Sequence, residues 1–269
     1  MEELVEDISG KGALVTGASS GMGRAIAIRL VRAGVKIVGL GRDQGALEET
    51  QALVGLDGGS FTAIRADLAQ AGAMERAVST AIETLGQLDI LINNAAVMNT
   101  HTPGETARGQ WAKLLQINLH AVIEGCEAAI AHMREVGHSG RIVNISSLAS
   151  RLPGGGVYGA SKIALEKYTQ ELREALESDP IRVSAVIPGG FATNLARGMT
   201  EAEQLTFQQN MGAKLTSTTP DSQGRTPYFG IADDVARAVH FAIAQPDFLN
   251  VSELVIRPAK NIDPSAFRD

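Results

Sequence analysis

Apolar residues along this chain follow two alternating patterns. Short, β-branched and nearly uninterrupted apolar runs occur at 13–16, 36–40, 61–65, 90–92, 141–145, 182–187 and 253–256, each bounded by glycine or polar turn residues. Runs of this length without a helical period predict buried strands. Between them the period changes. Ala25, Ile26, Arg29, Leu30 and Ala33 recur at helical spacing, as do Met74, Ala77, Val78, Ala81, Ile82 and Leu85, which predicts amphipathic helices. Strands that alternate with helices pair in parallel, because parallel neighbours need a crossover, and right-handed crossovers place helices on both sides of the sheet. The predicted fold is α/β: a doubly wound, mostly parallel, seven-stranded sheet with helices on both faces, in three layers.

No Pro/Gly/Ser-rich linker, repeat or low-complexity tract divides the chain, so residues 1–269 are expected to form one domain. The stretch at about 196–229 lacks strong periodicity and is rich in Gln, Thr and Gly. It is expected to form a substrate lid.

Composition narrows the partners. Hydrophobic residues make up 44% and charged residues 20%, enough for a full core without disulfides or metal. The net charge is −6 with basic residues scattered, which argues against nucleic acid and membrane surfaces. The acidic first nine residues lack a signal-peptide pattern, and no apolar stretch approaches the ~18 residues of a span, so a cytoplasmic location is expected. Cys126 has no partner for an intrachain disulfide and reads as a packing residue. His101, His120, His132, His138 and His240 show no ligand spacing, and no metal site is expected.

The strongest chemical signal is Thr16-Gly17-Ala18-Ser19-Ser20-Gly21-Met22-Gly23, between the first strand and the first helix. Glycines allow a tight turn and close backbone approach, and free N–H groups at a helix start attract a pyrophosphate. In this Rossmann-like context Gly17, Ser19, Ser20, Gly21, Met22 and Gly23 are candidate cofactor contacts. Dinucleotide sites usually carry an acid at the end of the second strand to bind the ribose hydroxyls. Here Gly41 stands in that place, followed by Arg42, whose guanidinium suits a 2′-phosphate. NADP(H) is therefore favoured over NAD(H). In the competing reading Asp43 is the ribose ligand; it would otherwise cap the next helix. Asp67-Leu68, beyond the third strand, is placed to meet the adenine.

Tyr158 and Lys162 are four residues apart and share a helical face. Ser146-Ser147 and Asn93-Asn94 end two strands at the rim where ligand crevices form in such sheets. Asn118, between Ile117 and Leu119, belongs to a face that reads as buried and needs hydrogen-bond partners.

Gly17, Gly21 and Gly23, Asn93-Asn94-Ala95, Ser147, Tyr158, Lys162 and Pro188-Gly189 together resemble the short-chain dehydrogenase/reductase family, in its short single-domain branch, over residues 10–258. The resemblance implies Tyr158 as acid/base, Lys162 as its activator, Ser147 as second donor to the substrate oxygen and Asn118 as holder of a water-linked proton path. It also implies coenzyme contacts from Asn94, Ala95, Tyr158, Lys162, Pro188, Gly189 and Thr193. Two features depart from the pattern: the 148–157 loop is slightly short, which leaves Ser146 as an alternative to Ser147, and Ala96 replaces a frequent glycine.

A phenol with an ordinary pKa near ~10 needs help to ionise, and an ammonium together with an oxidised nicotinamide is expected to lower it. Met98, Leu148, Leu152, Phe191, Met199 and Phe229 could line an apolar substrate end, or equally pack in the core. Trp111, Leu114 and Leu115 could face a second subunit, as the family forms dimers or tetramers; a homotetramer is expected. The implied function is an NADP(H)-dependent interconversion of carbonyl and alcohol on a small molecule. The alternative is a catalytically silent nucleotide-binding regulator.

Overall fold

The computed structural model describes residues 6–98, 108–153, 155–191, 221–222 and 229–259. Strands β1 (Gly12–Thr16), β2 (Lys36–Gly41), β3 (Phe61–Arg65), β4 (Ile90–Asn93), β5 (Gly140–Ile145), β6 (Ile181–Pro188) and β7 (Glu253–Ile256) form one sheet. Its order is β3-β2-β1-β4-β5-β6-β7, and every pairing is parallel. Each predicted strand is present, with ends shifted by about one residue, as hydrogen-bonded ends commonly are. Inner strands β1, β4 and β5 are buried at every position, whereas edge strands β3 and β7 are partly exposed. A strand covered on both faces has no polar side to display, and for that reason its sequence reads as a continuous apolar run.

Two cores flank the sheet. Helices α1 (Gly21–Arg32) and α2 (Gln44–Gly55), with α7 (Ala232–Ile243), cover one face, where Ile26, Leu30, Leu47 and Val239 pack on Val15, Ile37 and Ile92. The opposite face carries α3 (Ala73–Leu85), α5 (Ala121–Val136) and α6 (Gly156–Ala175), with Met74, Val78, Ile130 and Leu165 against Leu14, Val38 and Leu91. Neighbours such as Leu14 and Val15 enter different cores because successive strand side chains point to opposite faces. Cys126 lies fully buried in the second core, and burial pushes its thiol up to about 12.

A feature the sequence pattern did not anticipate lies ahead of α5. Helix α4 (Arg108–Leu115) passes into a π-helical turn, Gln116–His120, before α5 begins. The wider turn rotates the side chains that follow it, and Asn118 sits within it.

Chain order reverses beside β1, whose neighbours are β2 and β4. Connections leave in opposite directions there, which opens a crevice at the carboxyl ends of the strands. Thr16, Gly41 and Asn93 all stand at this rim, with Thr16 level with Leu40 and Asn93 level with Asn144. The expected lid at about 196–229 lies outside the described residues except for 221–222 and Phe229; Thr193, Met199 and His101 also lie outside them. Among the described residues no helix is long and apolar enough to cross a membrane, and no cluster of three His, Cys, Asp or Glu could hold a metal ion.

Candidate active site

An open cleft of about 900 Å³, counting the space it shares with solvent, lies at the rim between β1 and β4. Gly17, Ser19, Ser20, Gly21, Met22, Arg42, Asp67, Leu68, Asn94 and Ala95 all line it. Gly23 lies just beneath, where only glycine fits: a Cβ there would sit 2.2 Å from the Gly17 carbonyl oxygen. Gly17 has a φ of +71°, and a Cβ on it would come within 2.7 Å of Asn94 Nδ2. Helix α1 opens toward the cleft with no acid in its first turn and no side-chain cap from Ser20. Its first N–H groups thus keep their capacity for an anion.

Thr16 joins the two halves of the cleft. Its Oγ1 accepts from the backbone N–H groups of Asn94 and Ala95 at 2.9 and 3.0 Å, and donates to the Ile92 carbonyl at 3.3 Å. Asn94 returns the contact by donating Nδ2 to the Thr16 carbonyl at 2.8 Å. The glycine turn is thereby fastened to the end of β4.

At the outer corner, a Cβ on Gly41 would lie 3.0 Å from that of Ser19, so a larger side chain would crowd the cradle. Asp43 caps α2, accepting from Ala46 N at 3.0 Å. One oxygen of the competing ribose ligand is therefore committed to the helix. Asp67 accepts from Ala69 N at 3.0 Å and shapes the turn after β3. Shape and donors fit a dinucleotide: a turn narrow enough for backbone contact, an open helix start for phosphates and a guanidinium at the ribose corner.

Tyr158, Lys162, Pro188 and Gly189 do not line this cleft. Tyr158 is linked to the Val97 end of the cleft through Asn118 and Ser161. Asn118 Oδ1 accepts from Val97 N at 2.9 Å, while Nδ2 donates to Val97 O at 2.8 Å and lies 3.3 Å from Ser161 Oγ. Ser161 in turn donates to the Tyr158 carbonyl at 2.7 Å. Gly189 N donates to Ile256 O at 2.8 Å, and a Cβ on Gly189 would meet that of Arg257 at 2.9 Å, so this glycine serves the approach of the last strand.

Lys162 is 2% exposed; its Nζ donates to the Ile145 carbonyl at 2.8 Å and sits 5.9 Å from the centre of the Tyr158 ring. Burial pushes its pKa down to about 8, against the opposing charge of Glu166. Tyr158 is also buried, and burial raises its pKa while a hydrogen bond with Ser147 pulls it down. Among the protein's own groups, desolvation thus outweighs the Ser147 hydrogen bond. Of the two serines, Ser146 turns its hydroxyl to Glu166 at 2.5 Å, and Ser147 is the one beside the phenol.

Residues 11–204 match the model of the short chain dehydrogenases. The chain belongs to the short-chain dehydrogenase/reductase family. Among relatives of this family member, 3beta-hydroxysteroid dehydrogenase 2 of Eggerthella lenta is 28% identical over 93% of this chain and 94% of its own. A glycine betaine reductase of Emericella nidulans is 32% identical over 93% of this chain, which spans only 19% of that protein. A short-chain dehydrogenase from Burkholderia cenocepacia J2315, solved in complex with NADP, superposes with a TM-score of 0.76 at 32% identity, covering 94% of this chain and 98% of its own.

Two supporting residues of this oxidoreductase-family fold, Asn144 and Thr169, escaped sequence reasoning. Asn93 Nδ2 donates to Asn144 Oδ1, and Asn144 Nδ2 to Thr169 Oγ1, both at 2.9 Å, so a buried polar chain ties β4, β5 and α6 together below the site. The available signal was an Asn interrupting an apolar run at 141–145, since a buried amide needs partners. Thr16, at the end of its strand, carried no such mark.

Proposed function

We propose that this protein is an NADP(H)-dependent oxidoreductase that interconverts a carbonyl and an alcohol on a small molecule, with Tyr158 as the acid/base. The observation that carries the reading is the gathering of Ser147, Tyr158 and Lys162, linked through Asn118 and Ser161 to a cleft whose floor admits only glycine. Gly17, Ser19, Ser20, Gly21, Met22 and Gly23 would hold the pyrophosphate, Arg42 the 2′-phosphate, and Asp67 and Leu68 the adenine. Asn94, Ala95, Pro188, Gly189 and Thr193 would surround the nicotinamide end. When bound, the coenzyme supplies or takes up the hydride.

In reduction the Tyr158 hydroxyl gives its proton to the substrate oxygen as negative charge develops there, while Ser147 donates a hydrogen bond to the same atom. Reduction uses the protonated phenol, and burial favours that form. In the reverse direction the phenolate must form, and the nearby Lys162 ammonium favours it by Coulomb attraction. With a pKa of about 8, Lys162 still carries most of its charge at neutral pH. Asn118, fixed between Val97 and α6, is assigned the anchoring of a proton path from Lys162 toward solvent.

The NADP preference rests on Gly41 and Arg42 at the corner and on Asp43 being occupied as a cap; the NADP complex of the Burkholderia relative supports it. The name of the Eggerthella relative supports an alcohol or ketone as substrate. A cytoplasmic homo-oligomer with a lid at about 196–229 completes the proposal. The test is a panel of carbonyls and alcohols followed by absorbance of the reduced coenzyme. Turnover with NADPH at lower concentration than NADH is expected. Tight coenzyme binding with no turnover across the panel would overturn the reading in favour of a silent nucleotide-binding regulator.

A further inference from the structure

Glu166 is the acid nearest in sequence to the candidate centre on α6, one turn beyond Lys162, and its side chain is 16% exposed. It makes contacts on three sides. Oε1 accepts from Ser146 Oγ and Ser150 Oγ, each at 2.5 Å. Oε2 meets Arg151 Nη2 at 3.3 Å, and Arg151 continues to Glu253 of β7 at 2.7 Å. The two serines bracket the turn that presents Ser147. Ser150 Oγ also lies 2.8 Å from the Ser147 carbonyl, and since a hydroxyl has one proton, it donates to that carbonyl or to Glu166 at any moment.

Lys162, one turn back on the same helical face, is joined to Glu166 through Ser146, whose Oγ lies 3.5 Å from the Lys162 carbonyl and 2.5 Å from Glu166 Oε1, and it has a matching need. Its Nζ is bonded to a neutral carbonyl, at Ile145, in a nearly dry environment. A buried ammonium is costly unless an opposite charge stands near. Resting on the function proposed above, we infer that Glu166 is a positioning residue of the centre: it is the fixed counter-charge of the Lys162 ammonium and, through Ser146 and Ser150, ties the Ser147 turn to the helix that carries Tyr158 and Lys162.

Other described charged groups on the surrounding elements reach solvent or pair elsewhere, save one buried oxygen of Glu124 on α5 that has no hydrogen-bond partner. Lys113 of α4 is exposed. His120 of the π turn faces Glu124 at 3.2 Å, and Glu127 of α5 accepts from Tyr168 at 3.1 Å. Arg182 of β6 donates to the carbonyls of Asp179 and Asp247. Arg151, already paired with Glu253, is the cation that competes for Glu166. Tyr158 is the remaining titratable neighbour of Lys162 on its own helix.

The test is a 13Cε NMR titration of lysine-labelled protein, with the Lys162 signal identified by its loss in Lys162→Met. Glu166→Gln keeps the shape and one acceptor but removes the charge; it is expected to lower the Lys162 midpoint by roughly half a unit to one unit. Glu166→Asp should restore most of that shift. Arg151→Met, at a partly exposed position that gives a second route if Glu166→Gln fails to fold, should raise the midpoint by releasing Glu166 from its competitor. A Lys162 midpoint that stays at the wild-type value in the folded variants would overturn the inference. Because the readout needs neither substrate nor turnover, failure of the proposed enzyme activity would show separately, in the substrate panel.

Discussion

Replacing Thr16 by Val tests how the cleft is held together. Valine matches threonine in shape but cannot accept from Asn94 N and Ala95 N, which now bond Oγ1 at 2.9 and 3.0 Å. An N–H left without an acceptor costs about 1–3 kcal/mol, and because Asn94 and Ala95 are half-buried, the lower part of that range applies to each, giving about 2–4 kcal/mol for the pair. For a chain of this size that corresponds to a fall in Tm of about 4–16 °C. Thr16→Ser keeps the hydroxyl and loses one methyl, so its cost should stay near about 1 kcal/mol. Urea titrations of the three proteins, paired with fluorescence titration of NADPH, measure both effects. Thr16→Val should be the least stable and bind coenzyme most weakly, because the same hydroxyl fastens the glycine turn to β4. Equal stability of the Val and Ser variants would refute the reasoning.

Four further outcomes follow from the site. Gly23→Ala must displace the Gly17 carbonyl, 2.2 Å from the new Cβ, so NADPH affinity should drop by about tenfold or more while circular dichroism stays native; unchanged affinity would argue that the cradle is not the binding site. Arg42→Leu should weaken NADPH by about 10–100-fold and leave NADH nearly unchanged, as for loss of a charged hydrogen-bond partner, whereas Asp43→Ala should cost about 1 kcal/mol of stability as a lost cap without altering the NADPH/NADH ratio. For pH, Lys162 has a folded pKa of about 8, below its ordinary 10.5, so the folded state bears an unfavourable buried charge below pH 8. Between those values the unfolded chain binds more protons, and the stability of wild type relative to Lys162→Met should rise with pH; a flat difference in denaturation midpoints would contradict the burial of that ammonium.

What the sequence revealed depended on which physical constraint left a residue pattern. Doubly buried strands must be apolar along their whole length, so the inner strands could be read directly, while the partly exposed edge strands β3 and β7 were read from their short, turn-bounded runs. Glycines at positions 17 and 23 mark close backbone contacts that no side chain could survive, and they too stood out. The π turn at Gln116–His120 left no comparable trace, because a π turn and an α turn bury similar apolar sets. Glu166 was not singled out from the sequence, because its contacts with Ser146, Ser150 and Arg151 come from a segment that only tertiary packing brings to the helix. The burial of Tyr158 was hidden for a related reason. Sequence places an ammonium nearby but does not report desolvation, and here burial prevails.

Everything proposed for this site depends on the Tyr158 hydroxyl moving the proton in carbonyl–alcohol exchange. The direct measurement is kcat for Tyr158→Phe on a carbonyl that the wild type reduces, alongside the Kd for NADPH. Loss of turnover by about 100-fold or more with Kd unchanged is the predicted result, since general acid–base catalysis contributes on that scale. Turnover within a few-fold of wild type, with coenzyme still bound, would contradict it.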